Sequence, residues 1–404
     1  MQLRPSIAIM VATALLLVAC TGPAATQAPT DAPTSAPTDA PTDAPTDAPS
    51  DTPSDAPSDA PSDAPSAWKV GVVTDVGTVD DKNFNEFSYQ GAVMGAQSVG
   101  ADEPSVAVPD DASQYASLIQ NFIDTDHNII VTVGFALAAD TAVAAKANAD
   151  VWFIGVDQAP CIDETGAPDS TFTCAGDLAT LLPNFIGLQY AEDQAGYLAG
   201  IVAASISENG NVGAIGGINL VPAVVRYIQG YELGAQSVNP DINVFTDYVS
   251  TSDFGVAFND PGAGKTFADQ FIDTNDVDVM FQVAGKTGNG VLQSACGKGI
   301  HGIGVDVDQW LSLNADSDPT YQCIVTSAEK GLASSVQQTI EAIADGSATG
   351  GVNNFDATND GIGVSPENSG AGLITTEIQG LLDAAMAGMQ DGSVDTCPEN
   401  CGQP

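Results

Sequence analysis

From Trp68 onward the chain alternates short β-branched runs with longer Ala-rich stretches, and this alternation constrains the fold more than any motif does. Lys69–Thr74, Ile129–Val133, Val151–Val156, Asn211–Ile215, Ile242–Tyr248, Val277–Val283, Ile300–Val305 and Cys323–Thr326 predict buried strands. Phe84–Ser98, Ser113–Asp124, Asp140–Asn148, Ala191–Ser205, Pro222–Ser237, Ala263–Asp273, Gly288–Cys296 and Lys330–Ala344 predict the helices between them. Strand–helix alternation implies parallel sheets joined by right-handed crossovers. Eight such runs after residue 68 fit an α/β fold of two doubly wound lobes better than one barrel. In such sheets a ligand sits beyond the carboxyl ends of the strands, so the informative residues are those that follow each strand.

Those residues are Asp75, Gly134-Phe135, Asp157, Gly285 and Asp306. Carboxylates at three strand ends suit general acid–base chemistry, metal ligation or acceptance from a polyhydroxylated ligand. A loop Asp is as often a helix cap, but recurrence at strand ends favours a shared site.

Several motifs fail on context. Gly262-Ala263-Gly264-Lys265-Thr266 ends like a phosphate-binding loop, yet Asn259 stands where that loop needs its first Gly. Gly297–Gly302 spells a dinucleotide fingerprint but precedes a strand, so its glycines present no helix N-terminus to a pyrophosphate. The two histidines, His127 and His301, lie far apart and before strands, which argues against a zinc site or a Ser-His hydrolase. Asp316-Ser317-Asp318 and Asn354–Asp360 are oxygen-rich without calcium-loop spacing. Neither a metal nor a cofactor is expected. With 52 acidic against 9 basic residues, the net charge of −43 excludes a nucleic-acid partner, because phosphate affinity comes from clustered Lys and Arg. The same field disfavours phosphorylated ligands.

Residues 1–20 carry Arg4, an apolar run Ile7–Ala19 too short to span a bilayer, and Leu17-Val18-Ala19-Cys20. The tetrapeptide resembles a bacterial lipobox, so the segment reads as a lipoprotein signal peptide with Cys20 as the acylated first residue of the mature chain. Lipidated Cys20 would hold the protein on the membrane surface, outside the cytoplasm. Residues 21–67, dominated by Asp-Ala-Pro-Thr and Asp-Ala-Pro-Ser repeats, read as an extended spacer that forms no core. Apart from Cys20 there are six cysteines, Cys161, Cys174, Cys296, Cys323, Cys397 and Cys401, an even number that predicts disulfides in an exported chain. Short loop closure favours Cys161–Cys174 and Cys397–Cys401, leaving Cys296–Cys323; unpaired buried thiols are the alternative.

The segments Val73–Gly77, Asp80–Asn85, Gly196–Gly200, Phe258–Pro261, Ala284–Gly288, Gly304–Gln309 and Thr326–Lys330 together resemble the basic membrane protein lipoproteins, the substrate-binding components of ABC importers. The resemblance runs from Trp68 to about Met389 with the motifs in family order. It implies a type I periplasmic-binding-protein fold of two lobes joined by three crossovers and closing on ligand by a hinge. On that basis 68–187 plus about 308–350 are expected to form the N-terminal lobe, 188–307 plus about 351–390 the C-terminal lobe, and 391–404 a tail. The implied ligand is a purine nucleoside. Phe84 and Phe258 would sandwich its base, with Phe254 competing for the second place. Asp75, Asp306 and Lys330 would grip the ribose, with Asn85 nearby and Asp157 at the base edge. Phe135 and Gly285 would line the same cleft. The family usually has Ser at Asn83 and Leu at Glu329.

The chemistry of these residue types fits. A carboxylate accepts from vicinal hydroxyls without offering a competing donor, and Lys330 would keep Asp306 ionised. Stacking is worth roughly 1–3 kcal/mol per base and a hydrogen bond to a charged group about 1.5–3 kcal/mol. The implied partner is an ABC permease and the implied state a monomer without enzymatic activity. Competing readings are a receptor for a free purine, a sugar or a signal molecule, a secreted nucleoside hydrolase, or a surface adhesin.

Overall fold

Runs such as Val70–Thr74 and Ile129–Val133 are buried at every position, which is what a parallel strand covered on both faces requires. The computed structural model describes residues 68–398 and 400–403. Cys20, the signal and the whole spacer lie outside the described residues. The first lobe builds β1 (Val70–Thr74), α1 (Phe84–Ser98), β2 (Ser105–Ala107), α2 (Tyr115–Asp124), β3 (Ile129–Val133), α3 (Ala138–Ala147), β4 (Trp152–Val156), α4 (Leu178–Leu181) and β5 (Phe185–Tyr190). The second begins with α5 (Glu192–Ile206), β6 (Asn211–Gly216), α6 (Pro222–Val238), β7 (Asn243–Tyr248), α7 (Phe254–Asn259) and α8 (Pro261–Asn275). It continues through β8 (Val279–Val283), α9 (Gly285–Lys298), β9 (His301–Asp306), α10 (Gln309–Ser312) and β10 (Ile324–Lys330). The chain then returns to the first lobe as α11 (Leu332–Asp345) and β11 (Gly351–Phe355), and crosses again to β12 (Ile362–Val364) and α12 (Thr376–Asp391).

The sheets are ordered β11-β5-β4-β3-β1-β2 and β12-β10-β9-β8-β6-β7, all parallel except the antiparallel edge pair β10–β12. The chain crosses between lobes after Tyr190, Lys330 and Phe355, which corrects the expected lobe boundaries. Residues 308–330 belong to the second lobe because β10 pairs with β9, and 351–355 belong to the first because β11 pairs with β5. Lys330 also ends a strand instead of starting a helix, held in register by Ile362 across the edge pair.

The glycines of α5 and α6 set how closely those helices cross. A Cβ on Gly196 or Gly200 would meet Tyr227 O or Tyr231 O at 2.1 or 2.2 Å, and one on Gly230 would meet Asp193 O at 1.9 Å. Without side chains there the backbones touch, and Glu192 at the start of α5 comes to face Arg226 and Tyr227 of α6. The cysteines pair as Cys161–Cys174, Cys296–Cys323 and Cys397–Cys401, with Cα separations of 4.7, 5.0 and 5.2 Å. Among the described residues, no helix is long and apolar enough to cross a membrane.

Candidate functional site

The carboxyl ends of both sheets open onto one cleft enclosing about 640 Å³, mouth included, within the usual range for small-molecule sites. All nine residues singled out from the sequence line it. Asp75, Phe84, Asn85, Phe135 and Asp157 come from the first lobe, and Phe258, Gly285, Asp306 and Lys330 from the second. Phe254 does not line it; its ring lies 6.1 Å from that of Phe258, centroid to centroid.

Asp75 follows β1. Its N–H donates to Val133 O at 2.9 Å and its carbonyl accepts from the Tyr115 hydroxyl at 2.8 Å. The carboxylate fills the space beside Gly134, where φ is 113° and a Cβ would lie 2.0 Å from Asp75 Oδ2. Burial pushes this carboxyl up to about 7.

Phe84 and Asn85 are fixed by the cap of α1. The buried Asp81 carboxylate accepts from the N–H groups of Asn83, Asn85 and Glu86 at 2.9, 3.0 and 3.0 Å, satisfying donors that a helix start leaves free. The Asn85 amide donates to Val76 O at 2.9 Å. In the second lobe Asp253 caps α7, accepting from Val256 N at 3.0 Å. The Phe258 ring then lies over Gly217, where a Cβ would come within 2.5 Å of it.

Beneath the rings one ammonium faces three carboxylates. Lys330 Nζ lies 2.7 Å from Asp157 Oδ2, 3.5 Å from Asp306 Oδ1 and 3.6 Å from Glu192 Oε1. It also sits 4.8, 5.1 and 5.8 Å from the ring centroids of Phe84, Tyr190 and Tyr227. Burial pulls the ammonium down, but the three carboxylates outweigh it and hold Lys330 above its ordinary value. Burial pushes Asp157 up to about 6 against the pull of Lys330, and raises Asp306 as well. Lys330 contacts Asp306, as expected from the sequence, but lies closer to Asp157, whose buried Oδ1 has no hydrogen-bond partner. Asp306 also accepts from the Tyr227 hydroxyl at 3.3 Å.

A sequence profile described as "ABC transporter substrate-binding protein PnrA-like" matches residues 68–377. The chain belongs to this family. It is 25% identical over 346 residues to the "ABC transporter nucleoside-binding protein BmpA" of Lactococcus lactis subsp. cremoris, covering 81% of this chain and 88% of that protein. It is 29% identical over 245 residues to "Basic membrane protein A" of Borreliella burgdorferi, covering 60% and 64% of the two. Its fold matches the crystal structure of an ABC transporter solute-binding protein from Aeropyrum pernix K1, with a TM-score of 0.67 at 22% identity, covering 81% and 92% of the chains. The expected family and two-lobe fold are thereby borne out.

The cleft of this PnrA-like protein holds groups that the strand-end argument did not reach. Asp81 and Tyr227 line it, while Glu192 and Arg226, paired at 2.7 Å, lie behind Lys330. Acidic residues in a first turn usually complement the helix dipole at a surface, so Glu192 carries no mark of burial in the sequence. The small-residue spacing of Gly196/Gly200 and Gly230/Gly234 is the one signal that brings Glu192 to Tyr227.

Proposed function

We propose that this substrate-binding protein captures a nucleoside, foremost a purine nucleoside, between its lobes and delivers it to an ABC permease without chemical change. Phe84 and Phe258 stack on the base, Asp157 Oδ1 and Asn85 meet its edge, and Asp306, Asp75 and Lys330 hold the ribose. The observation that carries this reading is a single cleft in which aromatic rings from opposite lobes stand above a buried ammonium and its carboxylates. The similarity to a nucleoside-binding protein of Lactococcus lactis supports the ligand class. Carboxylates that outnumber cations around the cleft favour a neutral riboside over a nucleotide.

The protein works as a monomer outside the cytoplasm, anchored by acylated Cys20 and held off the membrane by its Pro-rich spacer. Cys20→Ala, which should release the protein from membranes, tests the anchor. Calorimetry with inosine, hypoxanthine and ribose tests the ligand: inosine should bind far more tightly than its free base. Equal binding of base and riboside would reassign the site to a free purine. Release of hypoxanthine from inosine at enzymatic rates would make the protein a hydrolase.

A further inference from the structure

The loop that carries Asp81 to the start of α1 belongs to the first lobe, yet the second lobe holds it by hydrogen bonds outside the ligand cleft. The Asn289 amide, one turn into α9, donates to the Asp81 carbonyl at 3.1 Å. The Ser312 hydroxyl, at the end of α10, donates to the Lys82 carbonyl at 2.7 Å. The same loop closes against α7, where a Cβ on Gly77 would stand 3.2 Å from Asn259 Oδ1. We propose that Asn289 and Ser312 form an interlobe latch that sets the open–closed balance and thereby positions Phe84 and Asn85 over the bound ligand. The inference rests on the binding function argued above.

Three features make the latch suited to this. Neither residue lines the cleft, so any effect on affinity is indirect. Both are supported from within the second lobe. Asn289 is buried and its Oδ1 accepts from Gln309 Nε2 at 3.0 Å, while Gln309 bonds to Gln282, Val305 N and, through its own N–H, Ser327. The donor therefore has a fixed direction before the lobes meet. Finally, the acceptor is stiff: the carboxylate of Asp81 grips the N–H groups of Asn83, just before α1, and of Asn85 and Glu86 in its first turn, while its carbonyl takes the bond from Asn289. A contact at that carbonyl moves the first turn of α1 as one piece, with Phe84 and Asn85 on it.

Opening the lobes exchanges both bonds for water, so each favours closure by the modest net worth of an exposed-to-buried hydrogen bond, roughly three- to tenfold in the closed-to-open ratio. Ser312→Ala removes one donor at a half-buried site. Asn289→Asp keeps the acceptor for Gln309 but sets a carboxylate oxygen against the Asp81 carbonyl. The test uses the full chain labelled at the exposed Val143 of α3 and Gln270 of α8 for electron–electron distance measurement, with inosine dissociation followed in parallel. Each variant should shift the ligand-free population toward longer distances and raise the inosine off-rate roughly three- to tenfold, with the on-rate and the ligand-free melting temperature nearly unchanged for Ser312→Ala. Distance distributions identical to the parent in both variants would overturn the latch. If the unsubstituted protein fails to bind inosine, the ligand assignment falls while the distances still decide the latch.

Discussion

Lys330, the last residue of β10, reaches across the lobe boundary to place its Nζ 2.7 Å from Asp157 Oδ2 at the end of β4. Its side chain is 2% exposed and that of Asp157 10%, so water screens neither charge well. Glu192 and Asp306 stand within 3.6 Å of the same ammonium. The pair thus joins two lobes, offsets part of the charge of a buried acidic cluster and floors the cleft.

Replacing Lys330 by Met should therefore do more than weaken ligand binding. Removing one partner of a buried ion pair costs about 3–5 kcal/mol, because the remaining charges stay desolvated. Denaturant unfolding at neutral pH should show a loss of that order. The deficit should shrink toward pH 4, where protonation relieves Asp157 and Asp306. A Lys330→Met protein as stable as the parent at pH 7.5 would mean that these carboxylates are already neutral in the folded state.

The carboxyls of the cleft also fix the sign of the pH dependence. Asp75 is pushed up to about 7 and Asp157 to about 6 by burial, and the half-buried Glu329, beside Asp308, to about 7 by partial burial. An unfolded carboxyl titrates near 4, so between about pH 4 and 7 the folded chain keeps protons that the unfolded chain has released. Stability should fall as pH rises through that window and level off above it. Lys330 is raised, so its contribution is constant below about pH 10 and does not enter. Melting temperatures from pH 5 to 8 in high salt should decline, and Asp75→Asn should flatten the slope.

The residues after the strands were readable from sequence because a parallel sheet points its carboxyl ends at one crevice, and continuous Val/Ile runs mark those strands. Lobe assignment was less readable. Phe185–Tyr190 contains Gly187 and Gln189, and the edge strand Gly351–Phe355 carries Asn353 and Asn354, so neither looks like a buried run until β5 and β11 pair. The charge layer behind the cleft was hidden for a different reason. Glu192 and Arg226 are 34 residues apart on separate helices, and only the close crossing of α5 and α6 makes them neighbours. Asp81 sits in an acidic loop segment with no sequence mark of burial; its burial goes with the three N–H groups it caps.

Net charge gives a third expectation. With 52 acidic and 9 basic residues, the surface repels itself, and salt shortens the screening length from about 10 Å at 0.1 M to about 3 Å at 1 M. The melting temperature should rise across that range in KCl. The increment should be the same in Lys330→Met, since the buried cluster is shielded from bulk ions. A melting temperature insensitive to salt would show that the surface acids are spaced widely enough not to interact.

Phe258 and Phe254 lie on one helix face four residues apart, but only Phe258 reaches the cleft. If a base stacks there, Phe258→Ala removes a contact worth roughly 1–3 kcal/mol, or about five- to 150-fold in the inosine dissociation constant. Phe84→Ala should cost as much or more, since that ring also covers Lys330 at 4.8 Å. Phe254→Ala, which removes packing beside Phe258 without exposing the ligand, should change affinity no more than a few-fold. Calorimetry on the three variants distinguishes stacking from general loosening. Equal losses at Phe254 and Phe258 would point to destabilised packing of α7 and would remove the second ring from the proposed sandwich.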